Sequence, residues 1–397
     1  MKTYLYIFLL ALSLPLKAIC QIDTISESQK SMVAFVNGDF DLANNIMKNV
    51  LVKKSNPLLL NFMGDIQFAL EKYSDAINYY KSAEKTQKRI SHFNIAKAYI
   101  KINKIDSAFI VLNNYFDGYF NESSAKLSAD NDFEILKQYP QWSTLMKKVK
   151  DNEITKQLEI AEYYINKNRA IDAFQVLNPI IKKHKNNHKA WFLRSCAYMI
   201  DNNYKSAIPD IEQALKLKHN NSEYLNKYAD ILFIAHKYSK SVEYYLLALK
   251  NNELLFDNFL KVSKAYFLNN RYLEAEKYSK LYLLLFPKNQ ESILIASESM
   301  AMQNNCIDAL KCLNKSIEKD ANFYRIRGLI YYKSEAFDLS INDFCKAIDL
   351  NNKLYDIFLW RGLAYYFNGN KDKAKSDWNL ALKYKQYKAN DYLVKYR

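Results

Sequence analysis

Glycine and proline are scarce in this chain, with six of each in 397 residues. Strand-rich folds need both at their many reversals, and such sparse punctuation points to long helices. Cysteine is also sparse: five residues with no C-x-x-C pair, which leaves no zinc-type or redox-type spacing. Arginine supplies only eight of the 57 basic residues. No nucleophile elbow, HExxH helix or phosphate loop occurs. Catalytic groups mostly ride on loops, and a chain with so few loops is expected to be no enzyme and to need no cofactor or metal. His184 and His188 stand four apart, a spacing that could present two imidazoles to a metal. They lie in a Lys/Asn-rich turn with no third ligand nearby, which argues against a site.

What the chain has instead is a ladder. Small residues recur at Ala43, Ala76, Ala108, Ala173, Ala207, Ser241, Ala275, Ala309, Ser340 and Ala374. From Ala173 to Ala309 the step is identical four times running, and only the step from Ala108 to Ala173 is nearly twice as long. A period of roughly 34 residues marks a stacked repeat protein. Twelve residues before each of these anchors sits a second small residue: Ser31, Gly64, Ala96, Ala161, Ser195, Ala229, Ser263, Ser297, Gly328 and Gly362. Nine before there is usually Tyr (Tyr99, Tyr164, Tyr198, Tyr266, Tyr331, Tyr365). Four after, the residue is usually large and apolar, as in Tyr80, Leu112, Phe344 and Trp378. These are helical spacings. They predict one helix hairpin per unit, with the two small residues meeting where the helices cross. Polar pairs such as Asn202-Asn203, Asn269-Asn270 and Gly369-Asn370 mark the turns.

The pattern resembles the tetratricopeptide repeat family. Trp191, Tyr198, Ala207 and Ala214 carry the resemblance in one unit, Tyr266, Ala275 and Pro287 in another, and Gly362, Tyr365, Ala374 and Ala381 in a third. The resemblance implies an all-α fold, a right-handed superhelical solenoid of about ten helix hairpins. Residues 21–115 would hold about three units and 154–387 about seven, with 388–397 a C-terminal tail. The unit around Ala43 fits least well. Between the two arrays, 116–153 is an atypical insertion. Its Phe133, Leu136, Trp142, Leu145 and Met146 stand at helical spacing around Pro140 and predict a pair of short helices. These either continue the stack or form a hinge; the first is the reading favoured here.

The N-terminus carries a second signal. Lys2 precedes an apolar run, Tyr4–Leu16, too short to span a bilayer comfortably and suited to a signal-peptide core. Ala18-Ile19-Cys20 follows, so residues 1–20 are expected to be removed, giving an exported, periplasmic or envelope-associated protein that starts at Gln21. Lipidation at Cys20 is disfavoured by Lys17 and Ile19. The leader and the Gln21 start resemble those of Bacteroidota proteins. The remaining Cys196, Cys306, Cys312 and Cys345 are expected to be free thiols, although Cys312 and Cys345 could approach one another.

Net charge is +15, carried mostly by Lys alongside abundant Asn, Ile and Tyr, which reads either as the bias an AT-rich genome imposes or as a face for an acidic partner or an anionic surface. Export and the missing Arg-rich cluster disfavour nucleic acid. Asp130 and Asp132, beside an apolar helix start, read as capping residues.

In the resembled family, first helices line a groove that holds a peptide or partner helix. Residues eight before the anchors are then expected to face it: Phe68, Ile100, Ile165, Met199, Phe233, Phe267, Tyr332 and Tyr366, with Lys264 and Arg325 among the polar positions beside them. The resemblance implies a protein–protein interaction scaffold or adaptor, whose partners are other proteins or peptide segments. A surface protein handling carbohydrate is the alternative, since aromatic stripes also stack on sugars.

Overall fold

A computed structural model describes residues 24–88, 90–116, 127, 130–148 and 153–396. The leader expectation, Cys20 included, and residues 117–126, 128–129 and 149–152 of the insertion lie outside the described residues. Among these residues the chain is all-α, with no strand. It divides into two compact units, one ending at Phe256 and one starting at Asp257.

In the first unit, six hairpins form from α1 (Glu27–Val36) with α2 (Phe40–Lys53), α3 (Pro57–Ala69) with α4 (Tyr73–Thr86), and α5 (His92–Lys101) with α6 (Ile105–Phe116). After the insertion come α8 (Glu153–Asn166) with α9 (Ala170–Lys183), α10 (His188–Ile200) with α11 (Tyr204–Leu217), and α12 (Ser222–Ile234) with α13 (Tyr238–Asn251). The insertion holds a 3-10 helix (Asn131–Gln138) and α7 (Pro140–Lys148). Phe133, Leu136 and Leu145 are buried against Ala96, Ala108 and Leu112, so this short pair packs on the third hairpin. The second unit holds hairpins seven to ten: α14 (Asn258–Leu268) with α15 (Tyr272–Leu285), α16 (Gln290–Met302) with α17 (Cys306–Leu313), α18 (Ala321–Lys333) with α19 (Phe337–Leu350), and α20 (Ile357–Phe367) with α21 (Lys371–Lys383). Residues 388–397 carry α22 (Lys388–Lys395), which packs on the last hairpin.

All ten anchors are buried. The first hairpin, weakest in sequence, is as regular as the rest, with Ala43 and Ser31 both inaccessible. Where one of the crossing residues is Ser, its hydroxyl can donate across the crossing: Ser31 Oγ to the Ala43 carbonyl (2.7 Å), Ser241 Oγ to Ala229 (2.9 Å) and Ser340 Oγ to Gly328 (2.8 Å). At these three crossings small size and a satisfied hydroxyl serve the same close approach.

The turn inside every hairpin is the same device. The residue five before each anchor has positive φ: Gly38, Glu71, Asn103, Asn168, Asn202, His236, Asn270, Asn304, Glu335 and Gly369. The next residue's N–H then donates back to the carbonyl nine before the anchor, as in Arg271 to Tyr266 and Asn370 to Tyr365. This is a left-handed helix cap. Asn and Gly tolerate it, whereas Glu335, at φ 60°, has no such ease. Glu335→Gly is expected to raise the stability of the second unit by up to about 1 kcal/mol, seen as a higher urea midpoint at unchanged slope.

Three second helices start on further side-chain caps. Asp39 accepts from Leu42 N–H, Asn203 from Ser206 and Asn370 from Lys373. First helices do likewise through Asn56, Asn187, Asn221, Asn289 and Asp320. The abundant Asn thus has a structural use beyond genome bias.

Candidate functional site

The eight residues of the expected stripe are all half-buried, neither sealed in the core nor fully open. Several brace the turn beside them. Rings eight and three before the anchor meet edge-on or tilted: Phe35 with Phe40 (5.3 Å), Phe68 with Tyr73 (5.2 Å), Phe233 with Tyr238 (5.5 Å), Phe267 with Tyr272 (5.7 Å) and Tyr332 with Phe337 (6.1 Å). Tyr366 is covered by the Tyr396 ring at 4.5 Å, just beyond α22. Ile100 and Met199 pack at the edges of hydrophobic clusters. The expected stripe therefore carries part of the hairpin's own structure.

In several units the position one further on is more open than the stripe itself. Ile234 is 41% exposed and Leu268 is 48% exposed, each ending a first helix beside Phe233 or Phe267. In the first unit, Met199-Ile200 and Phe233-Ile234 place two apolar residues together at the last turns of α10 and α12. In the second unit, Phe267-Leu268 does the same on α14. Sequence reasoning missed this position, although its signal was there: a second apolar residue directly follows the eight-before position in successive units.

The cationic residues expected in the groove are not free. Lys264 Nζ pairs with Glu291 at 2.7 Å. Arg325 is held in a fork by Glu298, at 2.6 and 2.7 Å, and reaches Asp356 at 3.3 Å. Burial alone would favour its neutral form, but the two carboxylates hold the guanidinium firmly charged. Lys189 and Glu162 pair in the same register at 3.1 Å. The polar positions of first helices thus tie hairpin to hairpin, and neither Lys264 nor Arg325 is left to clamp a partner's carboxylate. Lys97 is likewise occupied by Asp130 and Asp132, each at 2.8 Å, while Asp130 also caps the Asp132 N–H. Cys196, Cys306, Cys312 and Cys345 are free thiols, and burial pushes the Cys196 thiol up to about 11. His188 Nδ1 lies 2.8 Å from the Tyr224 hydroxyl, and burial with Lys218 and Lys189 nearby lowers its basicity.

Among the described carboxylic acids the largest shift falls on Asp65. Asp65 on α3 accepts from the Tyr80 hydroxyl (2.8 Å), Asn94 Nδ2 (3.1 Å) and Asn61 Nδ2 (3.3 Å). Burial pushes its carboxyl up to about 6, against the opposing pull of the Tyr80 hydrogen bond. A carboxyl raised in the folded state stabilises below its unfolded value of 3.8, and that contribution is lost as pH rises through about 6. The first unit is expected to be more stable at pH 4.5 than at pH 7.5 through this group, by about 2 kcal/mol. Asp65→Asn should flatten that part of the pH profile in urea titrations.

Residues 188–221, the fifth hairpin, match the family model described as Tetratricopeptide repeat, which supports that family for the repeat. A TPR repeat-containing protein of Methanocaldococcus jannaschii is 21% identical over 373 residues, covering 89% of this chain and 62% of that protein. Anaphase-promoting complex subunit 3 of Schizosaccharomyces pombe is 31% identical over 91 residues, 22% of this chain and 14% of that one. The chain therefore spans less than two thirds of the length of these curated relatives. Among solved structures, a tetratricopeptide repeat protein from Parabacteroides merdae aligns at 16% identity with a TM-score of 0.49, over 58% of this chain and 92% of that chain.

Proposed function

We propose that this chain is a non-enzymatic protein-binding scaffold that holds a peptide or partner protein on the last turns of its first helices. One observation carries the reading. The anchors, crossing residues, turn positions and polar ladder are all engaged in holding hairpins together, while paired apolar residues such as Phe233-Ile234 and Phe267-Leu268 stay partly open to solvent. Exposed apolar residues beside rings with few rotamers suit a bound segment. The apolar run Tyr4–Leu16 followed by Ala18-Ile19-Cys20 supports export and a place in a bacterial cell envelope.

The test separates binding from folding. Ile234→Asp and Leu268→Asp alter exposed side chains and are expected to change stability by no more than about 0.5 kcal/mol. Each should abolish crosslinking of the chain to its protein partner in native envelopes. Phe233→Ala with Phe267→Ala should also lose the partner, but with lowered stability because the turn braces go. Binding to purified glycans with no protein crosslinked overturns the proposal, as does full crosslinking by both Asp variants.

A further inference from the structure

We propose that the first turn of α1 is a peptide seat reading an acidic residue followed by an apolar one, and that the chain fills it with its own Glu253-Leu254. The contact latches the first hairpin to the loop that leaves the sixth, far along the chain but within the same unit.

Three kinds of recognition converge there. The Glu253 side chain is held by the Ser28 hydroxyl and the Lys54 ammonium, both short contacts to Oε2. The Glu253 main-chain carbonyl accepts from Gln29 Nε2 at 2.9 Å, a contact that reads backbone rather than side chain. Leu254 then packs against the apolar cluster of the first hairpin, which includes Ala34, Met47 and Val50. Carboxylate, peptide carbonyl and apolar side chain are thus each met by a separate group, the set needed to bind an extended peptide.

Part of the seat is held by contacts that do not involve Glu253. Gln29 is pinned by a capping box, in which Ser26 N–H donates to Gln29 Oε1 at 3.0 Å and the Ser26 hydroxyl accepts from Gln29 N–H. Its Nε2 is thereby aimed outward at a fixed angle. Ser28 is fully buried and Gln29 nearly so, although both are polar residues on the first turn of the described chain. Burial works against ionising Glu253, but the hydrogen bonds from Lys54 and Ser28 outweigh it and keep the carboxylate charged. Lys30 pairs with Glu27 and leaves Lys54 as the cation of the seat.

Because the ligand is tethered, it acts at a high effective concentration, and a partner segment of the same chemistry must displace it. The seat is separate from the apolar positions of the first helices, so it stands or falls independently of the function proposed above.

Two measurements test it on the full chain. Hydrogen exchange in α1 and α2 is expected to speed about tenfold in Glu253→Lys, with α10 and α11 unchanged, and to return to the wild-type rate when Lys54→Glu is added. A fluorescent peptide of residues 251–256 is expected to bind Glu253→Lys at least about tenfold more tightly than it binds the wild type. It should lose that binding when its glutamate is changed to lysine. Unchanged exchange in Glu253→Lys, or a double variant that fails to restore protection, overturns the latch. A peptide that fails to bind the opened chain, or binds without regard to its glutamate, overturns the seat.

Discussion

Arg327→Ala will destabilise the second unit by about 3–5 kcal/mol, while changing both Arg327 and Asp343 to Tyr will restore most of that loss. Arg327 on α18 forks onto Asp343 of α19, Nε at 2.6 Å and Nη2 at 2.8 Å, inside one hairpin. Asp343 is only 3% exposed. Removing the guanidinium therefore leaves a desolvated carboxylate with no countercharge, which is worse than never having the pair. The same two positions in the sixth hairpin carry Tyr228 and Tyr244, whose rings lie 4.4 Å apart. The site thus accepts either a buried ion pair or two aromatic rings. Urea unfolding of the single and double variants checks this. A double variant no more stable than Arg327→Ala would mean that the ion pair itself, rather than filled space, is what the hairpin needs.

The same pair recurs as Arg194 with Asp210 and Arg361 with Asp377, so three of the eight arginines serve one structural role. The sequence separation is the same in all three pairs. That regularity is written in the chain, but an isolated charge on a helix reads as solvated and so conceals it. The small-residue ladder is legible because size at a crossing leaves little choice: only Ala, Ser and Gly appear. The left-handed turn position is legible at Asn202, Asn270 and Gly369, whose side chains advertise it. It is hidden at Glu71, His236 and Glu335, which hold the same backbone without the matching residue type. The fate of Lys264 and Arg325 is hidden for another reason. Their partners Glu291 and Glu298 lie on the first helix of an adjoining hairpin, as Glu162 does for Lys189. A charge pattern that reaches across most of a repeat is visible only once the stacking register is known. The functional face is least legible, because the eight-before aromatics do two things: they brace a turn on one side and leave an edge to solvent on the other.

Gly362→Ala is expected to destabilise the last hairpin by roughly 1–3 kcal/mol, although alanine is the better helix former by up to about 1 kcal/mol. A Cβ on Gly362 would lie 2.4 Å from Trp378 Nε1 and 2.6 Å from its Cδ1. Trp378 is fully buried, and its Nε1 donates to the Leu359 carbonyl at 3.3 Å, so the indole has little room to retreat. The three crossing glycines each face a large aromatic residue four after an anchor: Gly64 meets Tyr80, Gly328 meets Phe344 and Gly362 meets Trp378. Where the crossing residue is Ala96, Ala161 or Ser195, the residue at the facing position is Leu112, Leu177 or Ile211. Glycine thus goes with a facing aromatic ring at these three crossings, although Tyr245 holds the same position in the hairpin whose crossing residue is Ala229. Trp378→Leu alone should open a cavity and lose several kcal/mol, of the order of other large-to-small core changes. Gly362→Ala with Trp378→Leu should then lose less than the two single changes added together, with a coupling of about 0.5–3 kcal/mol. Strict additivity in a double-mutant cycle would show that the glycine serves the backbone alone and that its pairing with the ring is incidental.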